Sequence, residues 1–190
     1  MDSSKTDFFL SLYPTLVTPY TREGAIDYPA LDRFLHALAQ QGMDGVFAVC
    51  QSSEMFFLSE DEKLALAAFC LERCRALGMG CVVSGHTQED LPCQIAYLQR
   101  LEALGPDAII LVTNRLAGQE EPDDALLMRL NRIVAALRPD TRLGLYECPY
   151  PYKRLLTDKV IDAVAESGRF DFLKDTCCDA DLIRQRIARL

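Results

Sequence analysis

No stretch of this chain approaches the roughly 18 uninterrupted apolar residues of a membrane-spanning helix, and the opening MDSSKTDFFLSLYP has no basic leader followed by a long apolar core. Long basic runs are missing too. Acidic and basic residues interleave and sum to a net charge of −8, so the electrostatic footprint expected for nucleic acid or an anionic membrane is absent. Neither G-x-G-x-x-G nor a P-loop occurs, which removes the usual phosphate cradles. Only two histidines are present, His36 and His86, and the eight cysteines contain no C-x-x-C pair, too little for a zinc site. A mid-sized chain with its cysteines inside regular elements and no secretion signal points to reduced thiols and a cytoplasmic setting. These absences predict a protein that handles a small molecule, with no nucleic acid or membrane partner and no metal or organic cofactor.

What is there begins with alternation. In 190 residues, 49% apolar and 25% charged, short apolar runs alternate with longer amphipathic stretches, the signature of repeated βα units around a parallel sheet. Six strands are expected: Ser11 to Val17, Gly45 to Val49, Gly80 to Ser84, Ala108 to Val112, Arg142 to Tyr146 and Phe170 to Lys174. Leu31, Phe34, Leu35 and Leu38 form one helical stripe, and Leu64, Ala67, Ala68 and Leu71 another. Ser59 with Glu62 reads as a capping box, Asp27, Thr87 and Thr157 as N-caps, and Gly78 as a C-cap. No linker or low-complexity segment divides the chain, so residues 1–190 are expected to form one domain. The turn after the first strand is Thr18-Pro19-Tyr20 rather than a glycine-rich loop, which favours a (β/α)8 TIM barrel over a doubly wound nucleotide-binding sheet. A whole barrel takes eight strands and about 250 residues. The expectation is an α/β barrel lacking its last two βα units.

Barrel enzymes gather their chemistry where strands end and loops begin. There the sequence places Thr18-Pro19, Cys50-Gln51-Ser52-Ser53-Glu54, Ser84-Gly85-His86, Tyr146-Glu147-Cys148-Pro149 and Lys174-Asp175-Thr176. Lys174 closes the apolar run Phe170-Asp171-Phe172-Leu173. An amine at the mouth of a buried strand suits nucleophilic attack on a carbonyl carbon, although lysines flanking strands are more often solvated gatekeepers. Tyr146 also reads as a large strand-end residue, Ser52 and Ser53 as an ordinary turn, and Cys50, Cys148 and Cys177 as incidental.

The ordered set L-V-T-P-Y at 16 to 20, the Ser-Ser-Glu turn followed by L-S-E-D-E-K at 58 to 63, Y-E-C-P at 146 to 149 and L-K-D-T at 173 to 176 resembles the dihydrodipicolinate synthase and N-acetylneuraminate lyase family of class I aldolases. The resemblance implies a (β/α)8 barrel, usually a homotetramer, that works through a lysine imine of pyruvate or another 2-oxo acid and makes or cleaves a carbon–carbon bond with an aldehyde partner. It assigns the Schiff base to Lys174 and proton shuttling to Tyr146. It matches the family's carboxylate-holding Gly-Thr-Thr-Gly-Glu turn to residues 50 to 54, so that Ser52, with Gln51, Ser53 and Thr18, would hold the substrate. There are departures. Both glycines of that turn are lost, the family's Pro-Tyr-Tyr aligns with Asn114-Arg115-Leu116, and the arginine that recognises the synthases' second substrate aligns with Pro151, leaving Arg154 or Arg115 as substitutes. A divergent aldolase or lyase is therefore expected rather than the synthase itself. The rival readings are a non-catalytic remnant that binds a small acid or a partner chain, and a nucleotide-binding open sheet.

Overall fold

The computed structural model describes residues 11–190, which fall into two compact units. The first comprises residues up to Gly85 together with Leu104–Asp107, and the second His86–Ala103 together with Ala108–Leu190.

In the first unit, α1 (Tyr28–Gln40) starts at Asp27, whose carboxylate accepts from Ala30 N at 2.8 Å, and Pro29 fits its first turn, where no N–H is needed. Leu31, Leu35 and Leu38 form its buried face. Strand β1 (Gly45–Ala48) follows, then a single 3-10 turn at Gln51–Ser53 and helix α2 (Glu60–Leu77). The capping box at the head of α2 is formed: Ser59 N donates to Glu62 Oε2 at 2.8 Å and Glu62 N to Ser59 Oγ at 3.3 Å. Gly78 ends the helix at φ +70°. The buried face of α2 is Leu66, Ala67, Cys70, Leu71 and Cys74 with the stem of Lys63, whereas Ala68 is exposed and Leu64 half-buried. The stripe is thus rotated from the expected one, because the thiols act as small apolar side chains and take core positions that an aliphatic pattern misses.

Strand β2 (Gly80–Val83) pairs with β1 in parallel, Gly45 opposite Gly80 and Ala48 opposite Val83. The expected strand at 11 to 17 is reduced to an isolated parallel bridge between Thr15 and Phe47. Gly45 N donates to Leu12 O, Phe47 N to Pro14 O and Leu16 N to Phe47 O, but the intervening rung would need an N–H on Pro14, which proline lacks. The Tyr13 ring lies so close to the strand starts that a Cβ on Gly45 would sit 2.1 Å from its Cε1, and one on Gly80 2.2 Å from its hydroxyl. Two glycines are the space that this tyrosine occupies.

The second unit runs α3 (Leu91–Glu102), β3 (Ala108–Val112), a short α4 (Thr113–Leu116), α5 (Asp123–Ala136), β4 (Leu143–Tyr146), α6 (Asp158–Ser167), β5 (Phe170–Lys174) and α7 (Ala180–Arg189). Strands β3, β4 and β5 pair in parallel, and Val112, Tyr146 and Lys174 stand side by side at their C-terminal ends. Every residue of β3 and β4 is buried, whereas every residue of β5 is half-buried. Helix α3 is capped by Asp90, which accepts from Cys93 N at 2.9 Å, and not by Thr87. A carboxylate directly before the helix outcompetes a hydroxyl three residues upstream. Thr157 occupies the N-cap position of α6, but its hydroxyl donates instead to Asp123 Oδ2 at 2.5 Å. The eight cysteines are free thiols. Among the described residues no helix is long and apolar enough to cross a membrane.

Candidate active site

The pairing of β4 with β5 sets Tyr146 opposite Lys174, and the Lys174 Nζ lies 4.5 Å from the centroid of the Tyr146 ring. Strand pairing and a cation–π contact thus hold an amine against a phenol that is 3% exposed. Cys148 shares the neighbourhood. Burial pushes its thiol up, opposed by hydrogen bonds with the Tyr150 carbonyl and the Tyr146 side chain and by the charges of Lys174 and Arg115. Beside them His86 is fully buried, and its Nδ1 accepts from Val112 N at 3.0 Å, which in the neutral ring leaves the proton on Nε2.

The segments leaving β4 and β5 are tied together by a buried carboxylate that sequence reasoning passed over. Glu147 N donates to Lys174 O at 3.2 Å, extending the ladder by one step. Its side chain, 0% exposed, accepts from Leu156 N at 2.7 Å and Thr176 N at 2.9 Å, while the Thr176 hydroxyl donates to Glu147 O at 2.8 Å. Arg186 on α7, 1% exposed, pairs with Glu147 at 2.9 Å and with Asp175, and also donates to Leu156 O. The signal was there: Arg186 follows Leu182 and Ile183 in the inward phase of α7, a position where an arginine demands a buried partner.

Two other sequence expectations meet different surroundings. Arg154 is buried, donating to the carbonyls of Gly118, Gln119 and Glu121 and pairing with Asp123 at 2.9 Å, so its guanidinium braces the 118–123 loop. Asn114 uses its amide nitrogen on the carbonyls of Cys148, Tyr150 and Tyr152, at 2.8, 2.9 and 2.7 Å, and the Tyr152 hydroxyl returns a bond to Asn114 O. In the stretch that aligns with the resembled family's Pro-Tyr-Tyr, Asn114 stands at the proline position and its amide anchors the loop after β4, while the tyrosine positions hold Arg115 and Leu116.

In the first unit, Thr18, Gln51, Ser52 and Ser53 come together around the 3-10 turn. The Ser53 hydroxyl accepts from Cys50 N at 3.2 Å and donates to Leu16 O at 2.7 Å, and the Thr18 hydroxyl donates to Ser53 O at 2.8 Å. Ser52 is exposed and Gln51 half-buried. Glu54 closes the turn at φ +62° and hydrogen-bonds Tyr20, whose phenol is raised first by burial and then by that carboxylate. Val49, just before the turn, stands at φ +51°, an unusual conformation for a β-branched residue.

The sequence profile of the Dihydrodipicolinate synthetase family matches residues 8–119. The chain belongs to that family. Relatives are distant: 4-hydroxy-tetrahydrodipicolinate synthase of Brucella abortus is 34% identical over 98 residues, 52% of this chain and 33% of that protein. The Cyanothece enzyme of the same name is 25% identical over 170 residues, 90% of this chain and 56% of that one. Among solved structures, CdNal from Clostridium difficile in complex with mannosamine superposes with a TM-score of 0.79 at 21% identity, covering 93% of this chain and 60% of that one. The wild-type sialic acid aldolase of Ruminococcus gnavus gives 0.80 at 17%, covering 94% and 58%. The chain spans about a third to three-fifths of the length of these relatives. Its fold is the α/β fold of the dihydrodipicolinate synthetase family's TIM barrels, represented in the described residues by parallel strands β1 to β5 and their helices.

Proposed function

We propose that this chain supplies the imine-forming half of a Schiff-base lyase or aldolase acting on pyruvate or another 2-oxo acid. The observation that carries the proposal is the Lys174–Tyr146 pair, amine over phenol at 4.5 Å, at the C-terminal ends of neighbouring parallel strands. Membership of a family whose relatives include a protein named a sialic acid aldolase supports the same chemistry.

In this reading the neutral Lys174 amine attacks the C2 carbonyl of the oxo acid. The resulting carbinolamine loses water to an iminium ion. That cation withdraws electrons, so C3 loses either a proton or its bond to the aldehyde-derived carbon, giving an enamine. Running the steps backwards joins the enamine to an aldehyde, and hydrolysis of the imine frees the lysine. Tyr146 delivers a proton to the departing hydroxyl and recovers it, general acid–base work for which its hydroxyl must be oriented. The hydrogen bond with Cys148 and near-complete burial support that orientation. The family resemblance gives carboxylate capture to the Cys50–Glu54 turn. There we assign the contact to Ser52 and its neighbouring amides, with Gln51 beside it, while Thr18 and Ser53 shape the turn through their main-chain bonds.

Two departures argue against the synthase's own specificity: Asn114-Arg115-Leu116 stands where that branch has Pro-Tyr-Tyr, leaving the relay without its tyrosine, and Arg154 is bound to loop carbonyls instead of standing in for the missing arginine. The aldehyde partner therefore differs. A homo-oligomer, as the resemblance implies, and a cytoplasmic setting, as the reduced thiols suggest, complete the proposal.

The test is intact-mass analysis after pyruvate and sodium borohydride. A pyruvate-sized adduct on the parent chain, mapped to Lys174 and lost in Lys174→Ala, is the expected result. Folded protein that gives no adduct with several 2-oxo acids would favour a non-catalytic binding role.

A further inference from the structure

Tyr146 and Lys174 are each followed by a carboxylate, Glu147 and Asp175, and both carboxylates meet one guanidinium, that of Arg186. We propose that Arg186 is a positioning residue: it clamps the segments leaving β4 and β5 so that amine and phenol stay in register. The proposal rests on the imine reading above for its catalytic meaning.

The geometry separates this role from ordinary packing. Successive side chains along an extended chain face opposite ways, so Glu147 and Asp175 turn away from the face that carries Tyr146 and Lys174. Arg186 therefore acts from the helix side and is not itself a catalytic residue. Docking α7 alone would be served as well by an apolar side chain, since a buried ion pair is rarely more stabilising than well-packed hydrocarbon. What the guanidinium adds is direction. Its planar fork reaches Glu147 at 2.9 Å through one nitrogen and Asp175 through another, while the Leu156 carbonyl accepts from it as well. Glu147 in turn holds Thr176 N and Leu156 N, so one side chain on α7 governs the path of three segments. Asp175 stays below the ordinary carboxylate range although burial alone would raise it, because hydrogen bonds from Cys177 and the pairing with Arg186 outweigh burial.

Three substitutions test this. Arg186→Met keeps length and removes charge, Arg186→Lys keeps charge and removes the fork, and Arg189→Met removes the exposed guanidinium that ties the same helix to Asp158 and Asp162. All are compared while folded, by two readouts: borohydride trapping with pyruvate as a function of pyruvate concentration, and acetylation of Lys174 by acetic anhydride relative to exposed Lys159. Arg186→Met should lower the maximal trapping rate about tenfold with half-saturating pyruvate little changed, the split expected when geometry and not binding is lost. It should also change the Lys174-to-Lys159 acetylation ratio severalfold, because the strand end that presents the amine loses its brace. Arg186→Lys should restore both readouts only in part, and Arg189→Met should match the parent. Parent values in Arg186→Met overturn the proposal, as does an equal loss in Arg189→Met. If Arg186→Met does not fold, Arg186→Lys decides: trapping at the parent rate overturns the proposal, and a reduced rate upholds it. A parent that traps no 2-oxo acid sinks the imine reading, and the acetylation ratio alone then decides the positioning role.

Discussion

The ends of β4 and β5 and the Cys50–Glu54 turn are both polar, yet they solve the problem of buried polar atoms in opposite ways. At the strand ends, Glu147 and Asp175 pair with Arg186 on the side away from Tyr146 and Lys174. In the turn, the hydroxyls of Thr18 and Ser53 spend their hydrogen bonds on the main chain, and exposed Ser52 carries the outward-facing hydroxyl. In one region charge positions the reactive groups from behind; in the other, groups that look reactive in the sequence are the scaffold itself.

The sharpest way to test that contrast is on the phenol. Tyr146→Phe keeps the ring under Lys174 and removes only the hydroxyl, so the borohydride-trapping rate should fall about 100-fold while the fold survives. Glu147→Gln attacks the scaffold of the same region. It leaves Arg186 short of one buried partner and turns an amide donor toward N–H groups, which should cost about 3 kcal/mol in urea denaturation. In the turn, Ser53→Ala should cost about 1–2 kcal/mol of stability by orphaning Cys50 N and leaving Leu16 O only the weak thiol donor of Cys50. Ser52→Ala should be nearly neutral for stability and raise half-saturating pyruvate about tenfold. Equal effects of the two serine changes on both measurements would erase the contrast.

The smallest effect concerns pH. The carboxyl of Asp175 is depressed in the folded protein, so its pairing stabilises fully above the unfolded carboxylate pKa of about 3.9 and is lost as pH falls through the lower folded value. Melting temperatures measured from pH 5 downward should therefore decline less steeply in Asp175→Asn than in the parent.

Local features were legible in the sequence because their partners lie within a few residues. The Ser59–Glu62 box, the Asp27 cap, the Gly78 stop and five of six strands need nothing beyond i to i+4 neighbours and the alternation of apolar runs. Even the failure of the 11 to 17 strand has a local cause in Pro14, a rung with no donor. The misplaced stripe of α2 was also a local matter, since cysteine is seldom counted as core.

The sequence by itself determined the family, the βα alternation and the position of one amine at the end of a strand, all properties of residue order. Only the tertiary structure decided that Lys174 lies over Tyr146, that Arg154 and Asn114 are bound to loop carbonyls, and that Arg186 reaches the carboxylates beside both proposed reactive groups. Those partners lie tens of residues apart, except that Arg186 and Asp175 are close in sequence. Which of several arginines meets a buried carboxylate depends on strand register and helix phase together, quantities that no short window of sequence contains.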